Sequence, residues 1–245
     1  MWKSSRAESS QEAEQPPVGW FQFCGSSDSR DTATWSIDAR GGRHGIRWFQ
    51  GDLAEVTLPA GDSRCWLSLE PVGQDPLPML EEHFVRGDEL HLWYPQQQSR
   101  YALRLMLRPV SVAAETLVLE IVLAIETDLL DSHPMIDAVS VGSEVHSLME
   151  PRAASGSVGS PPITTSEKVT GRIAVLLGPH DSPFTSDLSG SDELRLRLFG
   201  EFLEKGVIRK ARPWVVFRPS TEPWDETELR RLSQKLHESP LPLTT

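Results

Sequence analysis

Leu103, Leu105 and Leu107 alternate with Arg104, Met106 and Arg108. A period of two places one row of side chains in a core and the other near water, so it predicts a half-buried strand over 100–109. Leu117 to Ile125 form a nearly continuous apolar run. That run predicts a strand over 116–126 with both faces covered. Residues 83–94 predict the strand before these two, joined to 100–109 by a hairpin at Tyr94-Pro95-Gln96-Gln97-Gln98-Ser99.

Upstream, short aromatic segments at 18–24, 33–39, 45–50, 53–58 and 64–69 predict further strands, with Gly41-Gly42 and Gly51 in the turns between them. Pro71 to Pro78 predicts a loop. Downstream, Ala138–Val141 and Gly171–Leu177 predict strands. Residues 191–206 fit two periods. Leu194, Leu196 and Leu198 alternate as in a strand, whereas Leu194, Leu198, Phe199, Phe202 and Leu203 form a helical stripe. Strand is favoured, because VIRKARPWVVF could return beside it through a hairpin at Glu204-Lys205-Gly206, with Pro213 at an edge or bulge. Leu229, Leu232 and Leu236 share one helical face behind Asp225, a good N-cap.

These elements predict a mainly β fold: an antiparallel β-sandwich with a C-terminal α-helix at about 225–238. Residues 18–245 are read as one β-sandwich domain. Residues 1–17, rich in Ser, Glu and Gln, are expected to be a disordered lead-in. A Ser/Pro/Gly-rich stretch at about 144–170 is expected to be a flexible insertion in that domain.

Composition narrows the partners. A formal charge of −11 argues against a nucleic-acid binder, whose phosphate contacts need a basic surface. The charge is uneven, since Leu194 to Arg218 holds seven basic and two acidic residues. Arg209, Lys210 and Arg212 are therefore candidates for contact with an anion or an acidic partner, against the simpler reading of a solvated strand face. Cys24 and Cys65 stand far apart without metal-ligand spacing, which predicts two buried free thiols. No apolar run is long enough to span a bilayer and the N-terminus lacks an apolar signal core, so a cytoplasmic protein without membrane contact is expected.

Candidate chemistry is sparse. Asp128, Asp131 and His133, with Asp137 close behind, follow the buried strand and offer oxygen and nitrogen ligands to a divalent metal or an acid–base pair. His180-Asp181 occupies a similar loop. Turn formation through Asp and Ser side chains explains the same residues without a ligand. Eight tryptophans against two tyrosines suit either a sheet core or stacking on sugar rings. Trp48, Trp93 and Tyr94 are the candidates for an exposed carbohydrate-binding face. A β-sandwich with this excess of tryptophan resembles carbohydrate-binding and sugar-epimerase sandwiches at the level of fold, which implies a saccharide ligand and no particular residue. Arg86-Gly87-Asp88 reads as a glycine turn rather than an adhesive tripeptide. No nucleotide loop, nucleophile elbow, zinc-protease or EF-hand motif occurs, and no cofactor is implied. Three readings follow: a non-catalytic binding or protein-interaction module, a carbohydrate-binding protein, or a metal-assisted enzyme using the loop at 128–137.

Overall fold

The computed structural model describes residues 1–4, 19–24, 34–51, 65–97, 99–113, 116–148 and 163–240. In chain order its strands begin with β1 (Trp2–Ser4), β2 (Trp20–Cys24), β3 (Thr34–Asp38), β4 (Gly41–Gly42), β5 (Ile46–Gln50), β6 (Cys65–Pro71) and β7 (Leu77–Met79). Next come β8 (Glu82–Arg86), β9 (Glu89–Tyr94), β10 (Ala102–Ala113), β11 (Thr116–Glu126), β12 (Met135–Val141) and β13 (Glu144–Leu148). The chain closes with β14 (Ile163–Lys168), β15 (Gly171–Leu176), β16 (Thr185–Asp187), β17 (Glu193–Phe199), β18 (Arg209–Ala211), β19 (Trp214–Arg218) and the helix α1 (Glu226–Glu238).

Two antiparallel sheets face one another. One runs β1-β2-β3-β5-β6-β12-β17-β16 and the other β13-β14-β15-β19-β11-β10-β9-β8, with β18 also paired to β11. Leu103, Leu105 and Leu107 point inward and are almost wholly buried, as their alternation predicts. They meet Ile37, Leu67, Leu196 and Leu198 from the opposite sheet in one continuous core. Within it Trp35 and Phe217, one from each sheet, sit with ring centroids 4.8 Å apart. Each fully buried Leu or Phe contributes about 1.5–3 kcal/mol through apolar area removed from water.

Helix α1 lies on the outside of the nine-stranded sheet. Leu229, Leu232 and Leu236 pack on Val118, Ile163, Ala174, Leu176, Trp214 and Val216. Asp225 caps its N-terminus by accepting a hydrogen bond from the Thr227 N–H at 2.9 Å, as the sequence predicts. This second layer explains why the first part of β11 is apolar on both faces: Val118 faces the helix while Leu117 and Leu119 face the core.

Several expectations change. The predicted strand 83–94 is a hairpin, because Gly87 (φ 62°) supplies the positive φ that a two-residue turn needs at its first central position. The Arg-Gly-Asp tripeptide is that turn. Residues 191–206 contain strand β17, but its partners are β12 and β16. The expected hairpin with VIRKARPWVVF does not form, since β18 and β19 pair with β11 in the other sheet. Pro213 falls between these two short strands, where no ladder N–H is lost and its carbonyl accepts from the Ile121 N–H at 3.0 Å. The expected loop at 71–78 ends in β7, which pairs with β4.

Within the stretch expected to be a flexible insertion, β13 and β14 form a paired ladder at its two ends; 149–162 lie outside the described residues. Within the expected disordered lead-in, Trp2 is buried in β1 and its indole N–H donates to the Asp88 carbonyl at 2.9 Å. Residues 5–17, the predicted strand 53–58 and the Cys24 side chain lie outside the described residues. Cys65 is a free, partly buried thiol, pushed up to about 11 chiefly by burial. Among the described residues no helix is long and apolar enough to cross a membrane.

Candidate functional site

At one end of the sandwich two loops, 127–134 and 200–208, are tied together by backbone hydrogen bonds. Gly206 N–H donates to Thr127 O and Leu203 N–H to Ser132 O, both at 2.9 Å, and Gly200 N–H donates to Pro134 O at 2.8 Å. Arg100 reaches across to the Asp131 carbonyl. The chain leaves β17 for this end through Phe199, which holds φ at 66°. For a residue with a Cβ that conformation costs about 1–2 kcal/mol, so the buried Phe199 ring and the loop bonds must hold it.

The two loops leave Leu129, Leu130, Phe202, Val207 and Ile208 exposed, Leu130 by 83%. Charged residues flank them along the chain: the exposed Asp128, Asp131 and His133 on one loop, the exposed Glu201, Glu204 and Lys205 on the other, with Arg209 and Lys210 just after it. The His133 ring lies 5.8 Å from that of Phe202. A shallow dent beside this patch is lined by His180, Asp181, Phe184, Thr185, Phe199, Arg209, Lys210 and Ala211.

The fold therefore brings two predicted groups of site residues to one end. Asp137 is not among them. Asp131 and His133 are 3.5 Å apart but both largely exposed. Asp128 uses its backbone N–H on Gln96. Asp137 points elsewhere, to Arg195 at 2.9 Å and Arg197 at 2.8 Å. Burial tends to raise the Asp137 pKa, but the hydrogen bonds from Arg197 and Arg195 outweigh it and hold the carboxyl below its usual value. Among the described residues, ligand atoms that come together belong to Glu144, His146 and Glu167 instead, on the surface of β13 and β14. Glu167 there is already paired with Arg172.

Arg209, Lys210 and Arg212 part company. Arg209 is ion-paired to Glu201 at 2.6 Å and Lys210 is exposed. Arg212 is buried and structural. Its guanidinium donates to Pro240 O at 2.6 Å and to Leu236 O and Ser239 O at 3.3 Å, capping the C-terminal carbonyls of α1. It also lies 3.7 Å from Glu120, a fully buried carboxylate that meets Arg108 at 2.6 Å and the Trp214 indole at 3.1 Å. Nearby, burial raises the Asp181 pKa.

The carbohydrate candidates separate as well. Trp48 is 1% exposed and Tyr94 is fully buried, its hydroxyl donating to Ala39 O at 2.7 Å. Neither offers a face to a sugar, which corrects the expectation of exposure. Trp93 is half-buried on the outer face of the nine-stranded sheet, with the Arg104 guanidinium 4.6 Å above its ring.

Sequence reasoning missed the exposed apolar loop residues and the Glu120 network. Leu129-Leu130 inside an otherwise polar turn segment, and Glu120 inside an apolar run, were the signals available.

No protein-family model matches the chain, and no curated protein matches it in sequence. Among solved structures, a heparan sulfate lyase HepC mutant from Pedobacter heparinus is similar, with 9% identity, 84% of this chain covered and a TM-score of 0.46. A heparinase III with methylated lysines is similar at 11% identity, with 84% of this chain covered and a TM-score of 0.43. The chain spans 36% and 35% of those two proteins. At TM-scores below 0.5 the likeness assigns neither a ligand nor a reaction to this chain.

Proposed function

We propose that this chain is a binding module that docks a protein partner on the loop end of its sandwich. The observation that carries this reading is the exposed apolar set Leu129, Leu130, Phe202, Val207 and Ile208 on two loops fastened to each other. Apolar residues gathered at one place and rimmed by charge have the anatomy of a protein interface, where an apolar centre loses water and a polar rim fixes orientation. The backbone bonds between the loops limit the ordering cost of binding.

A photo-crosslinking residue at Leu130 tests it. The expected result is a protein adduct that disappears when Phe202 and Ile208 are both changed to Asp. Equal labelling from Val169, which is 95% exposed on the turn between β14 and β15, would show non-specific contact and overturn the proposal.

A further inference from the structure

Strand β8 ends the nine-stranded sheet, and among the described residues its outer edge pairs with nothing. All five of its residues are exposed, Phe84 by 57% and Val85 by 44%. The strand Glu82-His83-Phe84-Val85-Arg86 holds no proline to block pairing, and its charges are of opposite sign at its two ends.

Its hydrogen-bonding phase follows from the turn. Arg86 and Glu89 flank the two-residue turn at Gly87-Asp88 and, as closing pair of the hairpin, exchange backbone bonds. Phe84 with His91 and Glu82 with Trp93 continue that phase. The Trp93 carbonyl, which also accepts the Glu81 N–H at 3.0 Å, indeed faces β8. The N–H and C=O groups of His83 and Val85 therefore point away from β9. On the outer face Phe84 stacks on His91 at 4.5 Å, while on the inner face His83 meets Phe21 at 4.9 Å.

We infer that the occupant of this edge is a second copy of the same chain, added antiparallel about a two-fold axis through Phe84. In that register His83 lies opposite Val85 of the second copy, each using the backbone groups left free. Phe84 faces its own counterpart. Glu82 lies opposite Arg86 of the second copy and Arg86 opposite Glu82, so both charge pairs are complementary. Sliding by one pairing step in one direction sets Glu82 against Asp88. Sliding in the other sets Arg86 against Leu80. Only the register centred on Phe84 pairs every charge in the strand, and it joins two nine-stranded sheets into one. The inference concerns a different surface from the loop end and stands apart from the proposal made there.

Analytical ultracentrifugation over a micromolar to submillimolar series, with melting temperatures as a folding control, tests it. The wild-type chain is expected to dimerise. Glu82→Arg or Arg86→Glu alone places like charges at both symmetric positions and should weaken the dimer about tenfold. The double exchange, E82R with R86E, should restore it. Val85→Pro removes an N–H that faces outward and should abolish dimerisation while melting like the wild type at concentrations where the wild type is monomeric. A wild-type monomer throughout the series overturns the inference, as does a dimer indifferent to all these changes. Failure of the double exchange to recover overturns the register.

Discussion

The outer face of the nine-stranded sheet has two halves built on the same alternation and put to different uses. Over β14, β15, β19 and the start of β11 the outward positions are Ile163, Ala174, Leu176, Trp214, Val216 and Val118, and α1 covers them. Over β8, β9 and β10 the outward positions include Phe84, His91, Trp93, Arg104, Met106 and Arg108, and among the described residues no helix lies on them. The lesson is that strand period fixes which residues face outward, while their chemistry decides whether a layer is added. Glu120 marks the seam: it is buried between Arg108 of the open half and Arg212, which holds the end of α1.

The largest loss of stability is expected at the seam. Arg212→Ala removes a buried partner of Glu120 and the cap on the α1 carbonyls together. A loss of about 3–5 kcal/mol in urea unfolding is expected. A loss below about 1 kcal/mol would mean that α1 holds without it. On the covered half, Leu236→Ala empties a fully buried site. It should cost about 2–5 kcal/mol and quench or shift the emission of Trp214 beneath the helix.

Two carboxylates, Asp181 near the seam and Asp137 in the opposite sheet, should give opposite pH dependence. Asp181 lies beside the end of α1, since its carboxylate and the Leu236 side chain both border Gly178. Burial raises its folded pKa above the unfolded value of about 4. Its contribution is thus fully present below pH ~4 and is lost as pH rises through the folded value. Asp181→Asn should raise the melting temperature at neutral pH and change it little in acid. Asp137 has the opposite sign. Its lowered pKa makes its contribution present above pH ~4 and lost as pH falls through the folded value, so Asp137→Asn should destabilise at neutral pH only. On the open half, Met106→Ala should cost about 1 kcal/mol or less, because its side chain is only partly buried. A cost as large as that of Leu236→Ala would show a hidden second layer there.

Much of the candidate site was illegible beforehand for a definite reason. Asp128, Asp131 and His133 were visible as chemistry, but their separation from Asp137 depends on Arg195 and Arg197 of β17, about sixty residues away. Arg209, Lys210 and Arg212 read as one basic run, although a β-strand points neighbours to opposite faces, and Arg212 leaves the strand to cap a helix. Trp48 and Trp93 have similar local settings in the sequence, yet one is buried in the sandwich core and the other stacks under Arg104 on the outer face.

Local periods were legible in the amino-acid order: the half-buried alternation of β10, the two-sided apolar run of β11 and the capped amphipathic helix. Each rests on contacts with the chain's own next few residues, or on the face a residue must bury. Glu193–Phe199, by contrast, fitted both a strand and a helical stripe and was resolved only by its pairing with β12 and β16. Tertiary structure alone decided which strands pair, and hence that β17 joins β12 while β18 and β19 join β11. It also decided which half of the outer face α1 covers. Pairing is a choice among distant segments with nearly equivalent backbone edges. Only the summed burial of the whole sandwich makes one arrangement the lowest in free energy.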